Sequence, residues 1–305
     1  MITNRAVVPV VAHTREELRA ARAALPGTDV AVVMTMGALH DGHALLIRRA
    51  RAEHDHVIVT IFLNPLQFGP REDLSRYPRT FDEDMEICTA AGVDLVFAPT
   101  PDVVYPGGDP GVRVSAGPLG EVLEGQSRPG HFDGVLTVVL KLLHLTAADS
   151  AYYGQKDAQQ LLLIRRMCVE LDVPVQVIAV PTVRESDGLA MSSRNMYLTD
   201  SDRDVALCLS RALAAGAQVA SLGPSAIRRA ARDVLVAEPL ALVDYLVLVH
   251  PNTLHDVPEW YRGEALLAVA ARVGTTRLID NQPVVVGPGG GARDVFTHET
   301  DPEAS

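Results

Sequence analysis

Two apolar runs, Val30 to Met34 and Val57 to Leu63, constrain the fold most, because neither shows the polar alternation of a strand with one wet face. Strands without alternation are covered on both sides, which is the condition of a parallel sheet between layers of helices. Helix and strand patterns alternate through the first 180 residues, as expected of an α/β fold. Thr14-x-x-Glu17 is a capping box that opens a helix to about Leu25, which Pro26-Gly27 ends. Further helices are expected from the turn after Met34 to Glu53, over Asp82 to Ala91, Gly134 to Leu145 and Ala158 to Leu171. Strands are expected at Asp94 to Ala98, Ala151 to Tyr153 and Val175 to Val180. The pattern then changes to two consecutive helices, Asp200 to Ala220 and Ser225 to Ala237, followed by strands Val243 to Val249, Ala265 to Ala271 and Thr276 to Asp280. The reading is a Rossmann-like parallel-sheet N-terminal domain over 1–182 and a smaller α+β C-terminal domain over 183–286. A disordered, glycine-rich and acidic tail is expected over 287–305.

Charge and cysteine usage exclude several functions. A formal net charge of -11 argues against general nucleic-acid binding, which needs a basic face. Any polyphosphate ligand therefore needs a local cationic pocket. Cys88, Cys168 and Cys208 lack metal-ligand spacing and read as buried thiols in a reducing compartment. The start of the chain carries no cleavable-signal pattern, and the most apolar helical stretch, Val135 to Leu145, is short and interrupted by Lys141 and His144. A cytoplasmic protein without membrane contact is expected.

The strand ending at Met34 runs into Thr35-Met36-Gly37-Ala38-Leu39-His40-Asp41-Gly42-His43 and then a helix. Such a junction directs backbone N–H groups and the positive end of a helix dipole at one spot, where an anion is welcome. His40 and His43, one turn apart, add side-chain donors for phosphate oxygens. Taken by itself this short motif is matched by another reading, two ordinary histidines beside a turn. Asn64-Pro65-Leu66-Gln67-Phe68 follows the next strand, at the edge where open α/β sheets bind ligands. Gln67 can hold a hydroxyl and a carboxylate of a small acid, or it can merely finish an Asn-Pro turn.

Tyr153-Gly154-Gln155-Lys156-Asp157 lies at another strand-to-helix junction, with Gln160 one turn beyond Lys156. Gly154 permits close approach of a ribose, Lys156 offers a compact positive charge for phosphate, and Asp157 can accept from ribose hydroxyls. Met191-Ser192-Ser193-Arg194-Asn195, after Pro181-Thr182-Val183-Arg184-Glu185, reads as a phosphate clamp or as a hydrophilic linker. Arg71 to Arg79 is polar and reads as a flap. Glu83 and Asp84, at the start of a helix, are candidate Mg²⁺ ligands or plain dipole partners. Arg128 and His131 open another helix, His131 being a candidate cation or a satisfied structural histidine.

Together these blocks resemble the pantoate–β-alanine ligase family of the HxGH nucleotidyltransferase superfamily, over nearly the whole chain apart from its ends. The resemblance rests on Thr35 to His40 with Gly42-His43, on Asn64-Pro65 with Gln67-Phe68, and on Tyr77-Pro78-Arg79-Thr80. It continues through His131-Phe132 with Gly134-Val135, Gly154 with Lys156-Asp157 and Gln159-Gln160, and Met191 to Asn195. It implies ATP-dependent condensation of pantoate with β-alanine through a pantoyl adenylate, releasing pyrophosphate and then AMP. It further implies that Gln67 and Gln160 hold pantoate, and that His40, His43, Lys156, Ser192, Ser193 and Arg194 hold the phosphates. Gly154 and Asp157 would bind ribose, Val183 and Met191 would lie near adenine, and the Met36 backbone would lie near the reacting groups. Mg²⁺ would be held mainly by ATP phosphates, and two copies would pair through the N-terminal domain.

Three positions depart from the family pattern. Met34 replaces a proline, which predicts a less rigid strand exit; Leu66 replaces a methionine; and Glu83 replaces an aspartate. Another adenylyltransferase of the superfamily would need a cationic acceptor pocket where this chain has Gln67 and Gln160. A non-catalytic nucleotide-binding module would have little use for the full set of histidine, lysine, serine and arginine groups.

Overall fold

In the computed structural model, which describes residues 8–27, 29–69 and 74–292, the uninterrupted apolar runs become central strands. Val30, Ala31, Val32 and Val33 are all fully buried, so both faces of their strand are covered. The strands are β1 (Val10–Ala12), β2 (Val30–Thr35), β3 (His56–Ile61), β4 (Leu95–Phe97), β5 (Ser150–Gly154) and β6 (Gln176–Val180). They form one parallel sheet in the order β1-β4-β3-β2-β5-β6. The order reverses at β2, whose neighbours are β3 and β5, so a topological switch point lies between β2 and β5. Ligands of open α/β sheets bind outside the carboxyl ends of the strands at such a point.

The helices are α1 (Arg15–Ala24), α2 (Asp41–Glu53), α3 (Phe81–Ala90), the short α4 (Pro101–Val104) and α5 (Glu124–Ser127), α6 (His131–Thr146) and α7 (Ala158–Glu170). The capping box at Thr14 is formed as expected, with Glu17 N donating to Thr14 Oγ1 at 3.1 Å. Helix α6 begins a turn before the expected Gly134, behind an N-cap glycine, Gly130, at φ 78°. Gly134 is a packing residue there and not a start signal, as the site shows below.

The later part of the chain holds α8 (Asp200–Gln218), α9 (Pro224–Val236) and an antiparallel sheet of β7 (Ala241–Val249), β8 (Gly263–Val273) and β9 (Thr276–Val286) in that order. Leu209, Leu213 and Ile227 from the two helices join Leu248, Leu267 and Val269 in its core. Strand β9 runs past the expected end at Asp280 and through Pro283. As an edge strand it tolerates a residue that cannot donate to the ladder.

The chain divides into two compact units. One holds the chain to Gly154 and Gln160–Val180; the other holds Gln155–Gln159 and the chain from Pro181 onward. The second unit is thus discontinuous, with a short segment borrowed from between β5 and α7. Residues 287–292, expected to be disordered, fold back on β9: Val285 N donates to Gly291 O at 2.9 Å and Gly287 N to Ala220 O at 3.1 Å. A Cβ on Gly290 would stand 2.1 Å from Val285 O, so this glycine serves close approach. The rest of the expected tail, 293–305, lies outside the described residues, as do Arg71, Glu72 and Asp73 of the expected flap. Among the described residues no helix is long and apolar enough to cross a membrane.

Candidate active site

The histidine turn leaves β2 through Thr35, whose hydroxyl donates to Thr60 O at 2.8 Å and accepts from Gly37 N at 3.2 Å. The strand keeps its pairing through Met34, the position expected to be less rigid. Met34 pairs with Thr60 inside β2, and the Tyr153 hydroxyl reaches its sulfur at 3.5 Å. Gly37 and Ala38 both take left-handed backbone, φ 84° and 51°, to turn the chain toward α2. Alanine is strained in that region, so something must hold it.

That holder is Asp84. Its Oδ2 accepts from Ala38 N at 3.1 Å, its Oδ1 from Leu39 N at 2.7 Å, and the Thr80 hydroxyl adds a bond of 3.2 Å. Burial pushes the Asp84 carboxyl above the ordinary aspartate range, against the pull of these donors. Two expectations change as a result. The Ala38 and Leu39 amides are spent on a carboxylate and are not the phosphate donors that the turn promised. Asp84 and Glu83, read together as Mg²⁺ ligands, point apart: Asp84 is 1% exposed beneath the turn while Glu83 is exposed. Among the described residues no group of three or more His, Cys, Asp or Glu side chains converges as a metal site.

The two histidines cap α2. Gly42 N donates to His40 Nδ1 at 3.1 Å, and His40 N donates to His43 Nδ1 at 3.3 Å. A ring nitrogen that accepts carries no proton, so these bonds assign the ring proton of each neutral imidazole to Nε2. The ring centroids are 4.1 Å apart, which brings the pair together as expected.

Gln67 ends the 3-10 turn Pro65–Gln67 after β3 and is held from several directions. Its Oε1 accepts from Asn64 Nδ2 at 3.1 Å, its Nε2 donates to Met36 Sδ at 2.8 Å, and its carbonyl accepts from His131 Nδ1 at 2.8 Å. Asn64, fully buried, also donates to Gly134 O at 3.1 Å and accepts from the Tyr105 hydroxyl at 2.8 Å and Leu66 N at 3.3 Å. Its donors and acceptors are thus matched. His131 is accordingly a structural support, with Arg128 Nη1 2.8 Å from its other nitrogen. A Cβ at Gly134 would stand 2.2 Å from Leu66 O, so α6 can press against this turn only with glycine there. Gln160, the second expected pantoate residue, lies on the first turn of α7 in the same unit.

In the second unit, Gln155–Asp157 form a 3-10 turn with Lys156 half-buried and Asp157 exposed. Val183 and Met191, expected to share a nucleobase, are brought together directly: Met191 N donates to Val183 O at 2.9 Å. The segment from Arg184 to Ala190 is a closed hairpin, with these two ends bridged. Ser192 caps the following 3-10 turn, its Oγ accepting from Arg194 N at 3.3 Å. Asn195 Nδ2 ties this stretch to Glu185 Oε1 at 2.7 Å and Ala190 O at 3.1 Å, so it is not a hydrophilic linker. Sequence reasoning missed Asp84's role, Tyr105, and the pair Asp280–Asn281, which braces this unit from β9.

A parallel sheet whose switch point is lined by strand-to-helix turns is the architecture of α/β proteins that bind ligands beyond the carboxyl ends of their strands. Gln67 follows the neighbouring strand β3, held by Asn64 and Met36. The chain belongs to the pantoate–β-alanine ligase family, whose model, described as pantoate-beta-alanine ligase, matches residues 7–283. It is 59% identical over 281 residues to a pantothenate synthetase of Acidothermus cellulolyticus, covering 90% of this chain and 92% of that one. It is also 59% identical to one of Salinispora arenicola, covering 90% and 98%. The crystal structure of pantothenate synthetase from Thermus thermophilus superposes with a TM-score of 0.84 at 48% identity, covering 89% of this chain and 98% of that one. A pantoate-beta-alanine ligase from Francisella tularensis, complexed with beta-gamma ATP and beta-alanine, matches with a TM-score of 0.73 at 34% identity, covering 90% and 97%. The fold and the family's ligase activity follow from these likenesses.

Proposed function

We propose that this chain joins pantoate to β-alanine in two steps. A pantoate carboxylate oxygen bonds to the α-phosphorus of ATP as the bond to the β-phosphate oxygen breaks, giving pantoyl adenylate and pyrophosphate. The β-alanine nitrogen then bonds to the acyl carbon, loses a proton, and the carbon–oxygen bond to AMP breaks. AMP leaves readily where oxide would not, so no covalent enzyme nucleophile is required. Catalysis reduces to alignment and to neutralising charge on phosphate oxygens.

The observation that carries this reading is the backbone lock on both histidines. With each Nδ1 accepting from an amide, His40 and His43 serve as Nε2–H donors and not as general bases. In the same unit Gln67 and Gln160 hold pantoate, the Met36 backbone lies near the reacting groups, and Gly154 admits the ribose. In the second unit Lys156, Ser192, Ser193 and Arg194 hold phosphates, Asp157 binds ribose hydroxyls, and Val183 and Met191 flank adenine. Magnesium enters as part of the ATP substrate: Asp84 is committed to backbone amides and Glu83 is exposed, so this pair does not form a resident site, and no step is routed through the ion. The cytoplasmic setting rests on three buried cysteines that form no disulfide. Pairing of two copies through the parallel-sheet unit rests on the family resemblance.

Purified chain with ATP, Mg²⁺ and pantoate is expected to exchange labelled pyrophosphate into ATP without β-alanine. Folded protein that ligates but shows no exchange would remove the adenylate route. The glutamine seat has its own test. Alanine in a helix interior normally gains ~1 kcal/mol over glycine, but overpacking costs ~1–3 kcal/mol. With a contact of 2.2 Å to relieve, Gly134→Ala is expected to lower the melting temperature and displace Gln67. The KM for pantoate should rise about tenfold or more while that for ATP changes little. A parental melting temperature and pantoate KM would show that α6 does not set the seat.

A further inference from the structure

We propose that Asn281 is a positioning residue for Lys156, and that the step Asp280–Asn281 on β9 is the common mount for both phosphate-binding segments of the second unit. The proposal rests on the reading of Lys156 as a phosphate ligand. Asn281 is 5% exposed, and its Nδ2 donates to two successive carbonyls, Gln155 O at 3.0 Å and Lys156 O at 2.8 Å. Two neighbouring carbonyls converge on one amide only where the chain turns tightly, so the amide fixes the shape of the turn as well as its place. The orientation is unambiguous, because a flipped amide would set its oxygen against both carbonyls.

Asn281 Oδ1 is buried and accepts no hydrogen bond. An orphaned acceptor is a cost that an apolar residue would avoid, so the position is explained by its two donors and by what they hold. The turn they hold carries the compact ammonium of Lys156 on a flexible stem, and fixing the stem's backbone narrows where the charge can go.

Asp280, 4% exposed, works on the other segment. Arg184 grips it with Nη1 at 2.7 Å from Oδ2 and Nη2 at 3.1 Å from Oδ1. Arg184 bridges to Ala190 and closes the hairpin that leads into Met191, Ser192, Ser193 and Arg194. The backbone N of Asn281 donates to Asp280 Oδ1 at 2.8 Å, which ties the Asp280 carboxylate to the stretch of strand that carries Asn281. Adjacent strand residues point to opposite sides, so a single step of β9 reaches two segments far apart in sequence.

The test is a double-mutant cycle on the full chain, read as pyrophosphate exchange with ATP, Mg²⁺ and pantoate. Asn281→Ala is expected to lower exchange about 10- to 100-fold, because a shift near 1 Å in a catalytic group costs rate on that scale. In the Lys156→Ala background the same change should cost less than ~3-fold, since the group being positioned is gone. A role in stability alone would instead multiply the two losses. Asn281→Leu keeps the shape while removing the donors, and carries the cycle if the alanine variant does not fold. Little effect of Lys156→Ala by itself would overturn the phosphate reading. A deep Lys156→Ala defect with parental exchange in Asn281→Ala, or with multiplied losses in the double variant, would overturn the positioning role. Failure of both Asn281 variants to fold would make the residue structural and overturn it too.

Discussion

Asp84→Ala is expected to lower the melting temperature by at least ~5 °C and pyrophosphate exchange by at least ~100-fold, measured where the variant is folded. The substitution strips Ala38 N and Leu39 N of the acceptors that lie beneath the turn. Each buried donor left unpaired costs ~1–3 kcal/mol, and the left-handed Ala38 at φ 51° loses what holds it. When the turn relaxes, the start of α2 goes with it, and both imidazoles lose the backbone donors that set their tautomers. Asp84→Asn offers only one acceptor and sets an N–H₂ against the other amide, so it should recover little. Raising Mg²⁺ separates this account from the carboxylate-ligand reading: a ligand variant would regain activity at high Mg²⁺, and the turn variant should not. Parental exchange in folded Asp84→Ala would show that the turn stands without its carboxylate.

Lys156→Ala is expected to lower exchange by at least ~100-fold, the lower end for losing a partner of transition-state charge. The chain carries a formal net charge of -11, so a triphosphate is received against the overall field and depends on a few local cations. Lys156 is half-buried, where its charge is screened less than at the surface. Lys156→Arg should restore little, because a planar guanidinium on a longer arm cannot occupy the place of a compact ammonium. A loss of only a few-fold in Lys156→Ala would mean that Arg194 and the histidines suffice.

Much of the scaffold could be read from the sequence because its signals are local. The runs at Val30 and Val57 are buried on both faces and needed no partner to identify them. The capping box at Thr14 and the spacing of His40 and His43 are likewise contained within one turn of chain. What escaped depends on contacts between distant segments. β1 has three residues and takes its meaning from pairing with β4. The expected helix start at Gly134 lies inside α6, where the Leu66 carbonyl leaves no room for a side chain. Asp84 looked like a helix-dipole partner or a metal ligand, and only the approach of α3 to the turn after β2 reveals its amide bonds. Asn281 was invisible as a site residue because the carbonyls it serves lie 125 and 126 residues away.

The borrowing of Gln155–Gln159 by the second unit also bears on how such a chain can be recombined. A crossover placed between Val180 and Pro181 would separate two parents cleanly by sequence, yet it would pair one parent's Lys156 turn with the other's β9. Asn281 would then meet carbonyls it had not been selected with, while Asp280 would keep its Arg184. The heritable module is therefore not a contiguous stretch: a viable chimera carries residues 155–159 together with the strand that grips them.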